Sequence, residues 1–492
     1  MDKRYQVKNI IDKLKSVMRL NLQKGKYERC MASISVGCQI LYEYNQYYMD
    51  SDFEDGVVQI ANCIRNNYQN ELNSFCKEQK TVLFYDGFGL DTRGVAKMYL
   101  NALWKNGYKI IYVTGQSSKG CMPETEVILR NAEAAIYYID FKKNYMLWVK
   151  ELLDVVFQTH PRAMFYYTTP YDVSGAVAFA VMDGMTDRFL IDLTDHAFWL
   201  GVNSNDYFCG SREMSASNQY YERRIAREKL IKLGVNLIVD DGGPNHDELP
   251  FDVTKNRYIF SGGALYKTLG DRENTYYSIV RHILESHDDI YFLYAGDGDR
   301  TEMNKILEQF PQRAFLVPER KDFYYLLRNC TLYLNTYPMF GGMMMKYSAN
   351  AGKIPITLKH ENDSDGLLLE QDKRKIEYLS YQELIDDVDM LLNNLDYLTE
   401  REKLLQGSVI SEERFIKNVK STIEKHCTDY HHCFERIDTE QFKREFLERF
   451  DFEATKAMVS KLINKSLYCD FIWMPVIIAK RKVNKLIRKQ PN

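Results

Sequence analysis

What most limits the fold of this chain is an alternation, repeated in two series, of short apolar runs and stretches with helical spacing. The first series opens at residues 81–85, an apolar run followed by the loop Asp86-Gly87-Phe88-Gly89 and a helical stretch over 93–106 that Gly107 closes. Further strands are expected at 109–113, 135–139, 163–168, 188–193 and 235–239. The second series predicts strands at 258–261, 290–295, 314–317, 332–335 and 354–358, with helices at 274–286, 302–310, 323–329 and 343–351. Strands that alternate with helices join through right-handed crossovers into parallel sheets. The expected class is therefore α/β, with two Rossmann-like domains and an acidic Gly/Pro stretch, Asp240-Asp241-Gly242-Gly243-Pro244, as the linker. In open sheets of this kind ligands bind beyond the carboxyl ends of the strands, so function is expected in one deep cleft.

The flanks read differently. Ile10, Ile11, Leu14, Val17, Met18 and Leu22 recur at helical spacing, as do Ile34, Cys38 and Leu41, with a break at 23–26. Asp50 offers the N-cap of a third helix. Residues 1–78 thus form a helical extension that resembles a degenerate tetratricopeptide-like unit. The expected domains are 1–78, an N-terminal Rossmann-like half over 79–245, a C-terminal half over 255–410, and C-terminal helices over 411–492.

Composition removes several classes. Sixty-five Lys and Arg against 68 Asp and Glu give a net charge of −3, which argues against a dedicated nucleic-acid binder, since such proteins carry a basic face. The first eight residues lack the apolar core of a signal peptide, and no stretch is long and apolar enough to span a bilayer. Ten scattered cysteines read as reduced thiols, so a cytoplasmic setting is expected. Gly87, Gly89 and Gly94 do not have GxGxxG spacing, which leaves a nicotinamide cofactor unsupported. His426, Cys427, His431, His432 and Cys433 are metal-ligand types but lack two separated ligand pairs, so no metal is expected there. The apolar segment 471–478 is followed by Lys480, Arg481, Lys482, Lys485, Arg488 and Lys489. That is the composition of an interfacial anchor on an anionic membrane surface; a final packing helix with solvated lysines is the alternative.

Four segments of the second half carry one part of the chemistry. A strand ends in Asn335, and the loop after it runs through Gly341 and Gly342 into a helix, a ready anion site. Before it come Phe260-Ser261-Gly262-Gly263-Ala264-Leu265-Tyr266-Lys267, then Tyr294-Ala295-Gly296-Asp297-Gly298, then Val317-Pro318-Glu319-Arg320-Lys321-Asp322. This ordered set resembles the donor domain of GT-B glycosyltransferases, closest to protein O-GlcNAc transferases and related bacterial glucosyltransferases. The resemblance implies that Lys267, with Gly262 and Gly263, grips a donor diphosphate, and that Gly341, Gly342 and Met343 hold it at the helix start. It implies that the loop carrying Arg320 borders the nucleotide base.

In the first half, residues 192–201 resemble the family's segment with a His before an aromatic-Leu-Gly. His196 is then the base or a backbone-positioning group, with Asp195 either orienting it or capping a helix. Gly87, Gly89 and Arg93 match the loop that comes close to the donor phosphates; a solvated first-turn residue is an equal reading of Arg93. One departure stands out: no Asp or Glu occurs between Asn335 and Lys359, and the family's ribose-binding acid falls at or next to Tyr347.

The implied activity is metal-independent transfer of a sugar from a nucleotide diphosphate-sugar, UDP-linked, to a hydroxyl of a glycan, lipid-linked or protein acceptor in surface polysaccharide or glycoprotein assembly. The nucleotide-sugar is a co-substrate and no cofactor is implied. A catalytically inactive GT-B scaffold and a helical-repeat interaction protein are the alternatives.

Overall fold

The computed structural model describes residues 3–91, 94–140, 144–239, 249–269, 271–339, 341–359, 368–432, 434, 436–452, 455 and 467. The chain divides into two compact units. The first combines residues 1–235 with the segment from Glu413, and the second is Asn236–Glu412.

The first unit is built on a parallel sheet of seven strands: β1 (Glu78–Asp86), β2 (Lys109–Gly115), β3 (Ala135–Ile139), β4 (Pro161–Tyr167), β5 (Asp187–Ile191), β6 (Tyr207–Gly210) and β7 (Leu230–Lys232). Their order is β3-β2-β1-β4-β5-β6-β7. The second unit carries six parallel strands: β8 (Arg257–Gly262), β9 (Ile290–Ala295), β10 (Ala314–Val317), β11 (Leu332–Leu334), β12 (Pro355–Leu358) and β13 (Glu377–Tyr378), in the order β10-β9-β8-β11-β12-β13. Both sheets start in the middle, run outward to one edge, then cross back to the other side of the first strand. Each therefore has a switch point, at β1/β4 and at β8/β11, where the outgoing loops diverge and leave room for a ligand. Central strands such as β1, buried from Thr81 to Asp86, read as continuous apolar runs because helices cover both faces.

One expected strand is corrected. Residues 235–239 are irregular, and the far edge of the first sheet is made by β6 and β7. β7 fills the edge position from Leu230 onward, so the apolar stretch after it has no neighbouring strand to pair with. The four residues of β6, which end in Cys209 and Gly210, make too short an apolar run to read as a strand.

The N-terminal helices are α1 (Lys3–Gln23), α2 (Tyr27–Tyr44) and α3 (Ser51–Arg65), the last capped by Asp50, whose side chain accepts the Phe53 N–H at 3.2 Å. They do not form a separate core. Leu14, Ile34, Phe53 and Ile60 belong to one apolar cluster with Leu83, Val113, Tyr166 and Val177 of the sheet and its helices. The helix Val173–Val181, buried at every position, lies against α3. The segment from Glu413 returns to the same unit: Phe415 meets Tyr99 edge-on at 5.5 Å, and Asn106 Nδ2 donates to the Ile416 carbonyl at 2.8 Å. No helix among the described residues is long and apolar enough to cross a membrane. The apolar segment 471–478 and the basic run after it lie outside the described residues.

Candidate active site

In the second unit the loops after β8 and β11 leave adjacent strands, since Leu332 and Tyr333 pair with Ile259 and Phe260. Gly262 ends β8. Gly263 has φ +131°, a conformation side chains avoid, and Gly296 packs so closely that an added Cβ would meet the Gly263 carbonyl at 1.9 Å. A short 3-10 helix, Leu265–Thr268, carries Lys267. Hydroxyls hold this turn from beneath: Tyr294 Oη donates to the Gly263 carbonyl at 3.1 Å, and Thr268 Oγ1 donates to the Leu265 carbonyl at 2.8 Å while meeting Tyr277 Oη at 2.6 Å.

The β11 loop is fixed in the same manner. Buried Asn335 accepts the Gly341 N–H at 3.0 Å through Oδ1, and Thr336 Oγ1 donates to the Met339 carbonyl at 2.7 Å. The helix Gly342–Asn350 then starts at N-cap Gly341 with no side chain capping it. The two loops touch, because Met339 N–H donates to the Lys267 carbonyl at 3.2 Å. The lysine and the helix start expected to share a diphosphate are thus neighbours within one unit.

Burial lowers the Lys267 pKa, and among the described residues no carboxylate lies within ion-pair distance of its ammonium. A half-buried cation with no counter-charge among the described residues, beside a helix start whose first N–H groups lack intrahelical partners, suits an anionic ligand. Met343 is partly exposed on the first turn. Arg320 is otherwise engaged, its Nε and Nη2 each 2.8 Å from the carboxylate oxygens of buried Asp322. Tyr347 donates its hydroxyl to the Ile238 carbonyl at 3.2 Å.

In the first unit the β1 loop turns around Asp86, which the sequence did not single out. Its buried carboxylate accepts the N–H of Phe88 at 2.9 Å and of Gly89 at 2.8 Å, and the Tyr112 hydroxyl at 2.6 Å. Burial raises its pKa against the pull of those bonds. Gly87 and Gly89 are demanded sterically: an added Cβ would lie 1.8 Å from Thr168 Oγ1 and 1.9 Å from Ser118 Oγ, respectively. Arg93 lies outside the described residues.

Residues 192–203, after β5, contain no helix that Asp195 could cap, so the capping alternative is set aside. Buried Asp195 instead receives Arg212 bidentately, Nε at 2.6 Å and Nη2 at 2.8 Å. Burial opposes its ionisation, but the guanidinium outweighs that and holds the carboxyl far below the usual range. His196 Nδ1 lies 3.4 Å from Asp195 Oδ1, and its ring is 37% exposed.

The backbone around His196 is held by side chains from distant elements. The carbonyls of Asp195, His196 and Ala197 accept, in turn, from Asn218 Nδ2 at 3.0 Å, Asn45 Nδ2 at 2.9 Å and Arg223 Nη2 at 2.5 Å. Asn45 Oδ1 takes the Phe198 N–H at 3.0 Å. Glu54 of α3 takes three more N–H groups, those of Gly201, Val202 and Asn203, at 2.8, 3.1 and 3.0 Å. Arg223 is fully buried, its guanidinium 4.5 Å from the Trp199 ring. Sequence reasoning missed Asn45, Glu54, Arg212 and Arg223, whose partners are far away along the chain. The histidines at 426 and 432 face different neighbours: His426 stacks on Tyr207 at 4.2 Å, and His432 is buried against Phe434.

No family model matches the sequence, and no curated protein does. Solved structures do. A glycosyltransferase from Rickettsia africae ESF-5 aligns with a TM-score of 0.51 at 12% identity, covering 71% of this chain and 99% of that one. A UDP-N-acetylglucosamine 2-epimerase aligns at 0.52 and 10% identity, covering 71% and 96%. The lipopolysaccharide outer core galactosyltransferase WaaB, in its apo form, aligns at 0.50 and 11% identity, covering 70% and 99%. The fold is GT-B. At such identities the likeness concerns architecture, and GT-B proteins among these neighbours include both transferases and an epimerase.

Proposed function

We propose that the protein is a glycosyltransferase that moves a sugar from a nucleotide diphosphate-sugar, UDP-linked, to a hydroxyl acceptor. The observation that carries this reading is Lys267: a half-buried lysine with no described carboxylate partner, bonded through its carbonyl to the loop that starts the helix Gly342–Asn350. In the reaction the bond between the anomeric carbon and the diphosphate oxygen breaks, and the acceptor oxygen forms a new bond to that carbon. The leaving diphosphate gains charge, which the Lys267 ammonium and the helix-start N–H groups stabilise. His196, partly exposed and fixed by its backbone, accepts the acceptor's hydroxyl proton. No step in this scheme is assigned to a metal or cofactor. Surface polysaccharide or glycoprotein assembly is the setting we propose.

The test is a turnover screen across nucleotide-sugars, with and without sugar acceptors, together with Lys267→Ala. Losing a charge-assisted contact costs about 1.5–3 kcal/mol, or roughly ten- to a hundred-fold in donor affinity. Wild-type donor binding by the variant would remove this loop from the site. Conversion of the sugar to its epimer without an acceptor would replace transferase by epimerase. Failure of any UDP- or GDP-sugar to bind would leave an inactive scaffold.

A further inference from the structure

The loop that carries His196 closes one turn of its own, the Ala197 N–H on the Thr194 carbonyl at 3.1 Å, and is otherwise held by side chains that reach it from elsewhere. Two of these come from the N-terminal helices. Asn45 follows α2 in the left-handed conformation, φ 42° and ψ 43°, with its N–H closing onto the Leu41 carbonyl. Asparagine tolerates that backbone better than most residues, which gives the position a purely local explanation. The side chain, however, is fully buried and spends both ends of its amide on another segment: the NH2 group on the carbonyl of His196 itself, and the oxygen on the N–H two residues later. An amide so placed fixes the two successive peptide planes after His196, those between 196 and 197 and between 197 and 198. Nine residues after Asn45, Glu54 fixes the N–H groups of 201–203.

From this geometry we infer that Asn45 is a positioning residue for His196, and that the N-terminal helices are part of the acceptor side of the site rather than an accessory module. The inference rests on the proposed role of His196. Its consequence is that loss of the Asn45 amide releases the imidazole from its orientation while leaving donor binding in the second unit untouched.

Asn45→Gly is the informative variant, because glycine keeps the left-handed backbone at no cost and removes only the amide. With a turned-over donor, it should lower kcat about 10–100-fold, the penalty of a misplaced reacting group, with donor KM unchanged. In a His196→Ala background the same change should cost nothing further, since a residue that acts through His196 has nothing left to position. A loss that adds in full to that of His196→Ala, or a matching rise in donor KM, would overturn the assignment.

A second readout does not need catalysis. The chain has nine histidines, and the ring signal of His196 is identified by its loss in His196→Ala. Asn45→Gly should move that signal and leave the other ring signals in place. An unchanged His196 signal in a folded variant would refute positioning even if no donor is ever turned over. A moved signal in a protein that turns over nothing would keep the positioning and discard the transferase reading. Should Asn45→Gly fail to fold, Asn45→Asp, which keeps an oxygen for the Phe198 N–H and loses the donor to the His196 carbonyl, is read in the same two ways.

Discussion

At Gly87 a single carbon atom is too much. Its Cβ would sit 1.8 Å from Thr168 Oγ1, and that hydroxyl is not free to swing away, because it donates to Asp172 Oδ2 at 2.9 Å. Gly87→Ala should therefore destabilise the first unit by about 1–3 kcal/mol, the usual cost of overpacking. Denaturant melts would show it, and a variant as stable as wild type would mean that Thr168 gives up its bond cheaply. Gly87, Gly263 and Lys267 were legible in the sequence because each sits just past an apolar strand, where a loop with glycine announces itself. Asn45 and Glu54 were not. Asn45 reads locally as the residue that ends a helix, and Glu54 as one acidic residue in the first turn of another. Nothing within a few positions of either reveals a partner roughly 150 residues away in sequence.

Among elements, α3 does the most unexpected work. It buries Glu54 among Phe53, Val57 and Ile60, where burial pushes the carboxyl up to about 6 although three N–H groups pull it down. The free carboxyl of an unfolded chain titrates near 4.3, so the folded state binds the extra proton between about 4.3 and 6. A raised carboxyl pKa means that this contribution to stability is fully present below the unfolded value and is lost as pH rises through 6. The amount is about 2 kcal/mol. Glu54→Gln should flatten that part of the profile: the gap between wild-type and variant stability should shift against the wild type from pH 4.5 to 6.5. Parallel profiles across that interval would show that Glu54 does not titrate there. The alternation of strand and helix was legible because burial on both faces leaves an unmistakable apolar run. The edge was not, because β6 and β7 are short and pair on fewer residues.

For the whole molecule, the helical extension that read as a tetratricopeptide-like module shares its core with the first sheet. A fragment that begins at Glu78 would expose the helix Val173–Val181 along the side covered by α3. We expect that fragment to aggregate, whereas Asn236–Glu412, with a core of its own, should give a soluble fragment with a cooperative melt. Soluble, monomeric protein from residue 78 onward would restore the idea of a detachable module. The two units also differ in how the ribosome meets them. The second is a single continuous stretch, so every residue of its core has been synthesised by the time Glu412 leaves the tunnel. The first still waits for Phe415, Ile416 and the helix that carries them, which lie against Tyr99 and Asn106. During synthesis the second unit can thus be complete while the first remains open along one flank, and a nascent chain stalled inside the second unit would present that flank to chaperones.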